Sequence, residues 1–158
     1  MRHSIIIWAL AATMVAAELP QADPRVVLTE QVRVEIATGA VTAIHDPRLF
    51  WLLLMQSRKP VLIAFTGEDC PTCAMQAPHL EAMAKARTDV TVVAVDAGVS
   101  RDLAWRHGVR TVPTNVVYLN GRLLDSRAAG LTADGLAAFV DTAAANAAMI
   151  GQKSPVKP

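Results

Sequence analysis

The sequence KPVLIAFTGEDCPTCAMQAP, residues 59–78, joins an apolar run to both cysteines of the 158-residue chain. The run from Val61 to Phe65 is short and uninterrupted, as expected of a strand that helices bury on both faces. The cysteines follow at once, with Pro71 and Thr72 between them. This order predicts a buried strand that leads into a helix whose first turn carries both thiols.

The spacing of Cys70 and Cys73 at the start of a predicted helix suits thiol–disulfide exchange. Free N–H groups and the helix dipole at a helix N-terminus stabilise a thiolate, and the second cysteine lies nearly one turn behind, where it can attack a mixed disulfide. Pro71 fits the first turn, because its missing backbone donor costs little there. We therefore predict that Cys70 is the exposed nucleophile and that Cys73 is the resolving thiol.

Two other uses of the cysteine pair stay open at this point. A zinc site normally needs four ligands, and without a second Cys-x-x-Cys motif His79 would have to serve from the same helix. A purely structural disulfide would close too small a loop to stabilise the fold much. We predict redox exchange, with no bound metal ion and no cofactor.

Other side chains that could bear chemistry have no partner at a suitable spacing. His45, His79 and His107 each lie in or beside a predicted helix without a second metal ligand, so we expect surface or capping roles for them. We expect Trp51 and Trp105 to lie in the core or at the edge of a groove.

The neighbouring segments alternate between strand and helix patterns. Residues 90–95, VTVVAV, form a second buried apolar run, so we expect a strand parallel to the first. Apolar residues at helical spacing predict a helix from residue 70 to about residue 86 that Pro78 kinks. Ser100 is placed to cap a further helix, and Gly108 is placed to end it.

The C-terminal third of the chain changes pattern. Two segments, NVVYL and RLLDSRA, flank the pair Asn120-Gly121, which is the strongest short-range signal for an antiparallel hairpin. Thr132 begins a final helix that Gly151 ends. We expect residues 151–158 to form a disordered tail.

Upstream of the first buried strand, Asp46 and Pro47 predict the capped start of another helix. Residues 23–44 precede it as an N-terminal extension that carries a short extra strand or hairpin, because residues 32–36 alternate in polarity and residues 41–44 could form a second short strand.

This order of elements, strand and helix in alternation and then a hairpin, predicts one α/β domain over residues 45–150. A central mixed sheet flanked by helices is the expected architecture. The length of the chain is within the usual range for a single domain, and a core of that size is stable without a staple.

The N-terminus has the layout of a secretory signal peptide. Arg2 and His3 give a short basic start, residues 4–15 are almost uniformly apolar, and small residues follow. We expect a signal peptide over residues 1–17, with an uncleaved anchor reaching residue 22 as the alternative, although the apolar run is short of the roughly 20 residues that span a bilayer. Export predicts a periplasmic location, where a disulfide can persist.

Composition and charge narrow the range of partners. The chain is 53% hydrophobic and 18% charged, with a formal net charge of +1. Cleavage after residue 17 would remove Arg2 and leave the basic residues balanced by 14 acidic ones. The sequence has no basic patch or charge run, so nucleic acid and anionic membrane surfaces are not expected partners.

Taken together, these features resemble the thioredoxin superfamily over about residues 44–148. The matching segments, in the right order and spacing, are KPVLIAFTGEDCPTC, Pro78, VTVVAVD, VRTVPT and the Asn-Gly hairpin. CPTC is similar to the motif of the exported reductases of cytochrome c maturation, and KPVLIAFT to the thioredoxin-like domain of the membrane protein that carries electrons into the periplasm. The resemblance implies a thioredoxin fold with a cis-proline loop at Pro113 beside the dithiol, where Val112 offers backbone groups to an extended substrate segment.

The chain departs from thioredoxin near the cysteines. Ala64 stands where thioredoxin has a buried aspartate that helps to move the proton of the resolving thiol, and Val92 aligns with the lysine near that acid. Asp69 replaces the usual tryptophan before the first cysteine. Water, Glu68, Asp69 or the leaving thiolate of the substrate must then take the proton from Cys73.

The two carboxylates beside the pair predict the direction of exchange. Glu68 and Asp69 disfavour a thiolate at Cys70 through like charge, which opposes the helix dipole and makes the protein less oxidising. We therefore predict an exported, monomeric thiol:disulfide reductase that acts on protein disulfides and is kept reduced by a membrane thiol reductant. The alternatives are a thiol oxidase or isomerase, and a metal-carrying or substrate-binding adaptor built on the same fold.

Overall fold

Five strands and four helices make up residues 39–152, the part of the chain that the computed structural model describes. In chain order they are β1 (Thr42–Ala43), α1 (Pro47–Gln56), β2 (Val61–Thr66), α2 (Pro71–Ala86), β3 (Thr91–Asp96), α3 (Arg101–Arg106), β4 (Thr114–Leu119), β5 (Arg122–Arg127) and α4 (Ala133–Gln152). None of these helices has the length and apolar composition that crossing a membrane requires.

The strands form one mixed sheet in the order β1-β3-β2-β4-β5. The central strand β2 runs parallel to β3 and antiparallel to β4, with Ile63 opposite Val93 on one side and Val116 on the other. Strands β1 and β3 are also parallel, whereas β4 and β5 form an antiparallel hairpin. The predicted mixed sheet and the predicted parallel pair are therefore confirmed.

The two faces of the sheet carry separate apolar cores. Helices α1 and α3 cover one face, where Phe50, Leu53 and Leu103 pack on Phe65 and Val95 of the strands. Helices α2 and α4 cover the other face through the buried apolar residues Leu80, Met83, Leu136, Phe139 and Val140. Because both faces are covered, β2 is buried from Val61 to Phe65, which explains its uninterrupted apolar sequence.

Most predicted helix and turn signals are present in the structure. Asp46 caps α1 by accepting a hydrogen bond from the Arg48 N–H at 2.8 Å. Asn120 and Gly121 have positive φ angles of 51° and 73°, which the twist of a two-residue hairpin requires. Gly108 follows α3 with a φ of 66°, as expected of a helix end.

Two predicted caps are wrong in detail. Ser100 occupies the N-cap position of α3, but its side chain makes no capping bond. Asp96 instead accepts hydrogen bonds from the N–H groups of Gly98 and Val99 at 2.7 and 3.0 Å, in the turn that precedes the helix. Helix α4 continues through Gly151 to residue 152, since a helix tolerates a glycine at a modest cost in free energy.

Three predicted segments extend beyond the described residues: the signal peptide, the N-terminal extension and the C-terminal tail. Residues 1–17, the alternating run at residues 32–36 and the remaining tail at residues 153–158 lie wholly outside them. Of the N-terminal extension, the structure shows β1, which lies within the second predicted short strand and pairs with β3 at Val93 and Ala94.

Candidate active site

The two cysteines form a disulfide at the N-terminus of α2. Their sulfur atoms are 2.07 Å apart and their Cα atoms are 5.2 Å apart. Cys70 is the N-cap residue, and its Sγ accepts a hydrogen bond from the Cys73 N–H at 3.1 Å. Cys73 is buried, whereas Cys70 is partly exposed. Solvent therefore reaches the sulfur of Cys70 more easily.

The loop before β4 lies against the loop that carries the cysteines. Its Val112–Pro113 peptide bond is cis, as the resemblance implies. A Cβ atom at Gly67 would lie 3.3 Å from Cγ2 of Val112, so the two loops are in close contact just before α2. The structure therefore brings the predicted substrate-binding loop to the predicted redox loop.

A third segment at the site is the connection between β5 and α4, which was not predicted to lie there. A Cβ atom at Gly130 would lie 2.5 Å from Cγ2 of Thr72 and 3.9 Å from Cγ of Pro113. Glycine therefore allows this backbone to approach both the residues between the cysteines and the cis-proline. The sequence carried only a weak signal for it, a glycine shortly after a predicted strand.

The acidic side chains of the site lie at its surface. Glu68 and Asp69 are exposed beside Cys70. Ala64 is fully buried and lies opposite Ala94 of β3 and Asn115 of β4. The buried polar side chains of the described residues are Gln76, Thr91, Ser100, Thr114 and Asn115. Within residues 39–152 there is thus no buried carboxylate that could take a proton from Cys73.

His107 caps a helix and lies within an aromatic cluster. Its Nδ1 is 2.7 Å from the carbonyl oxygen of Leu103 at the end of α3, so the capping role is confirmed. Its Nε2 is buried and has no hydrogen-bond partner in the described part of the chain. The aromatic rings around it, at 5.1 to 5.8 Å, belong to Phe50, Trp51, Phe65 and Tyr118.

The two described tryptophans lie at the surface rather than in the core. Trp105 is 81% exposed and lines a depression of about 260 Å³ that Val112 also lines. Trp51 is 42% exposed and stacks on His107. The groove-edge position is therefore confirmed for Trp105, while a core position is wrong for both. Among residues 39–152, no three His, Cys, Asp or Glu side chains are grouped so that they could hold a metal ion.

Comparison with known proteins identifies the family. The family model for thioredoxin matches residues 41–142. The chain belongs to the thioredoxin family. A thioredoxin of Aspergillus fumigatus is 29% identical to it over 92 residues, which are 58% of this chain and 83% of that protein. A thioredoxin of Griffithsia pacifica is 31% identical over 74 residues, 46% of this chain and 68% of that protein.

Solved thioredoxin structures share the fold. Oxidised mitochondrial thioredoxin 3 of Saccharomyces cerevisiae superposes with a TM-score of 0.60 at 26% identity, covering 65% of this chain and 94% of that one. Spinach chloroplast thioredoxin f, in its long form, superposes with a TM-score of 0.65 at 24% identity and covers 73% of this chain and 94% of that one. The predicted thioredoxin fold is therefore confirmed.

This thioredoxin-family protein is a thiol:disulfide oxidoreductase that acts on protein disulfides, with Cys70 and Cys73 as its disulfide-forming pair. These relatives are plain thioredoxins. Their similarity to this chain does not show that it resembles the reductases of cytochrome c maturation.

Proposed function

We propose that this thioredoxin-family protein is exported to the periplasm and reduces protein disulfides there, while a membrane thiol reductant keeps it reduced. The observation that carries the proposal is the Cys70–Cys73 pair at the start of α2, with one accessible sulfur and with Glu68 and Asp69 exposed beside it. The signal-like residues 1–17 support the location. The similarity of CPTC to the motif of the reductases of cytochrome c maturation supports a substrate protein of the kind on which those reductases act.

Reduction of the substrate takes two exchanges of sulfur partners. The Cys70 thiolate attacks one sulfur of the substrate disulfide, so a bond from Cys70 to the substrate forms, the substrate S–S bond breaks, and the leaving thiolate takes up a proton. Cys73 then loses its proton and attacks Sγ of Cys70, which forms the intramolecular disulfide and releases the second substrate thiol. Two electrons pass from the protein to the substrate.

The proton of Cys73 leaves by a route that differs from that of thioredoxin. Ala64 offers no carboxylate, so the acceptor is water, Glu68, Asp69 or the leaving thiolate of the substrate. The cis-proline loop holds an extended segment of the substrate beside the disulfide, through the backbone groups of Val112.

The carboxylates set the direction of exchange in this proposal. Their like charge disfavours the thiolate of Cys70 in the reduced protein, which stabilises the disulfide relative to the dithiol form. Related dithiols have reduction potentials of about −270 to −120 mV, and we expect a value at the reducing end. A potential near the upper end, measured by equilibration with glutathione buffers, would reverse the proposed direction.

Trapping of a mixed disulfide tests the roles of the two cysteines. The Cys73→Ser variant lacks the resolving thiol, so it should retain its substrate covalently on Cys70, and mass spectrometry of the trapped adduct names the client. The matched control is Cys70→Ser, which keeps only the buried thiol and should trap nothing. Equal trapping by both variants, or by neither, would contradict the assignment.

Export is tested separately through the mass of the protein recovered from periplasmic and membrane fractions. A mature chain that begins at Glu18 is expected. A full-length chain confined to the cytoplasm would overturn the proposed location and leave the exchange chemistry untouched.

A further inference from the structure

Two amide side chains are buried beside the redox loop, and the exchange reaction uses neither. Gln76 of α2 and Asn115 of β4 are 2% and 0% exposed. Nε2 of Gln76 donates to Oδ1 of Asn115 at 2.9 Å, and Nδ2 of Asn115 donates to Oε1 of Gln76 at 3.1 Å. We refer to these residues as the amide pair. Burying two polar groups is costly unless they bond to each other or to the backbone, so their presence needs a physical reason.

The amide pair is bonded to the backbone on both sides of Gly130. The Leu131 N–H donates to Oε1 of Gln76 at 2.9 Å, and Nδ2 of Asn115 donates to the carbonyl oxygen of Ala129 at 2.8 Å. A backbone donor requires an oxygen opposite it and a backbone acceptor requires an N–H, so these contacts fix the orientation of both amides. A carboxylate in place of Asn115 would lose the bond to the carbonyl unless it were protonated.

These bonds hold the backbone where it meets the cysteine motif. Gly130 lies so close to Thr72 and Pro113 that no Cβ fits without displacing Thr72. Residues 128–132 belong to neither β5 nor α4, and the amide pair supplies bonds to their backbone on both sides of the glycine. The position of this segment relative to the disulfide therefore depends on the amide pair.

The same segment borders an open depression beside the cysteines. The depression measures about 140 Å³, and Thr72, Met75, Gln76 and Leu131 are among its lining residues. Met75 is 73% exposed at its rim, and a flexible thioether suits varied apolar contacts. The depression thus lies between α2 and the segment that the amide pair holds.

We propose that Gln76 and Asn115 are positioning residues that hold residues 129–131 as the wall of a docking groove for protein substrates. They determine how well a protein disulfide is presented to Cys70, while the exchange between sulfur atoms proceeds without them. The proposal rests on the proposed function, since it concerns the binding of the substrate that the redox pair reduces.

Kinetics with two substrates of different size test the proposal, with dithiothreitol as the reductant for insulin and with pre-reduced protein, freed of dithiothreitol, for the small disulfide. In Asn115→Leu, which keeps the branched side-chain shape but loses the bonds to Ala129 and Gln76, the KM for insulin should rise about tenfold with little change in kcat, because losing buried hydrogen bonds typically costs a factor of this size. The rate with the small disulfide 5,5′-dithiobis(2-nitrobenzoate), which needs no groove, should stay within about twofold. Gln76→Leu should have the same effects. The KM for insulin should be little higher in the double variant than in either single variant, since the two amides act as a unit.

A purely structural role would lower the rates with both substrates together, and that result would overturn the proposal. Amide hydrogen exchange of the wild-type protein gives a second test that needs no variant. The Leu131 N–H should be protected from exchange by its hydrogen bond to Gln76, and rapid exchange there would contradict the proposal. A wild-type protein that reduces neither insulin nor the small disulfide would instead contradict the reductase function itself.

Discussion

At the scale of single residues, Asp69 is the exposed carboxylate closest in sequence to the accessible sulfur. Its replacement by asparagine should raise the alkylation rate of Cys70 in the reduced protein roughly threefold at neutral pH, because removing one charge at a distance of several ångströms in water favours the thiolate by that order. Iodoacetamide labelling measures the rate. The gain should shrink in high salt, which screens exposed charges.

Glu81→Gln is the matched control for this prediction, because Glu81 is an exposed carboxylate on the same helix but lies almost three turns from its start. An equal gain in both variants would mean that overall charge acts on Cys70 and that Asp69 has no special position.

Single residues also show where sequence patterns stop being informative. Cys70, Cys73 and Pro113 could be predicted because their signals are local motifs. The amide pair could not, since Gln76 and its partners Asn115 and Leu131 are 39 and 55 residues apart in the chain. An isolated glutamine on a helix gives no hint that it is buried until the fold brings those partners to it.

At the scale of elements, the close approach of the β5–α4 connection to α2 can be tested with Gly130→Ala. The added methyl group would lie 2.5 Å from Cγ2 of Thr72, so it must push the two segments apart or rotate the threonine. We expect a several-fold rise in the KM for insulin and a loss of about 1 kcal/mol in the free energy of unfolding.

Thr72→Ser removes the methyl group that the new Cβ would strike. The double variant Gly130→Ala/Thr72→Ser should therefore recover most of the lost substrate affinity, while Thr72→Ser alone should change little. If the effects of the two substitutions on the KM for insulin were fully additive, the contact between the new Cβ and Thr72 would not be the cause of the lost affinity.

A second link between elements joins the end of α2 to α4. The Arg87 guanidinium donates to Asp89 at 2.8 Å and to Asp141 of α4 at 2.9 Å. The hydrogen bond from Arg87 lowers the pKa of Asp89 below its ordinary value of 3.8. A carboxyl with a lowered folded-state pKa adds stability that is present above the unfolded value and lost as the pH falls through the folded one.

Arg87→Met should accordingly cost about 0.5 to 1 kcal/mol at neutral pH, a small effect because both acids are largely exposed. The difference from the wild type should disappear as the pH falls below 3.8. Urea unfolding at a series of pH values measures it. Arg58→Met changes an exposed arginine with no ion pair in the described part of the chain and should show no such pH dependence.

At the scale of the whole molecule, the core beneath α1 and α3 limits stability at high pH. Tyr118 is 6% exposed in that core, and burial raises the pKa of its phenol above the ordinary value of 10.0. Folding stability is then complete below the unfolded pKa and falls as the pH rises towards the folded one. Tyr118 is the only tyrosine of the chain, so its ionisation can be followed by ultraviolet absorbance.

Wild-type protein should therefore unfold more easily in urea as the pH rises past 10.0, and Tyr118→Phe should lose less stability over the same range. If both proteins lost stability equally as the pH rises, groups other than Tyr118 would be the cause of that loss.

The architecture itself could be predicted from sequence because each element carries its own pattern. The apolar runs of β2 and β3, the Asn120-Gly121 turn and the Asp46 cap are all local signals, and their order leaves few topologies. The choice between core and groove edge for Trp105 could not, since apolar character does not say whether an aromatic ring faces a core or the edge of a depression. Only the packing of α3 on the sheet decides that.

The strand order has a consequence for how the choice of substrate protein can change in evolution. Strand β2 ends, β4 begins and β5 ends at the same edge of the sheet, because β4 runs against both of its neighbours. Within residues 67–73, 109–113 and 128–132, which meet at that edge, only Cys73 and Pro113 are buried. Mutation can therefore reshape the rim around the disulfide while both cores stay intact, so partner choice can diverge between relatives faster than the fold does.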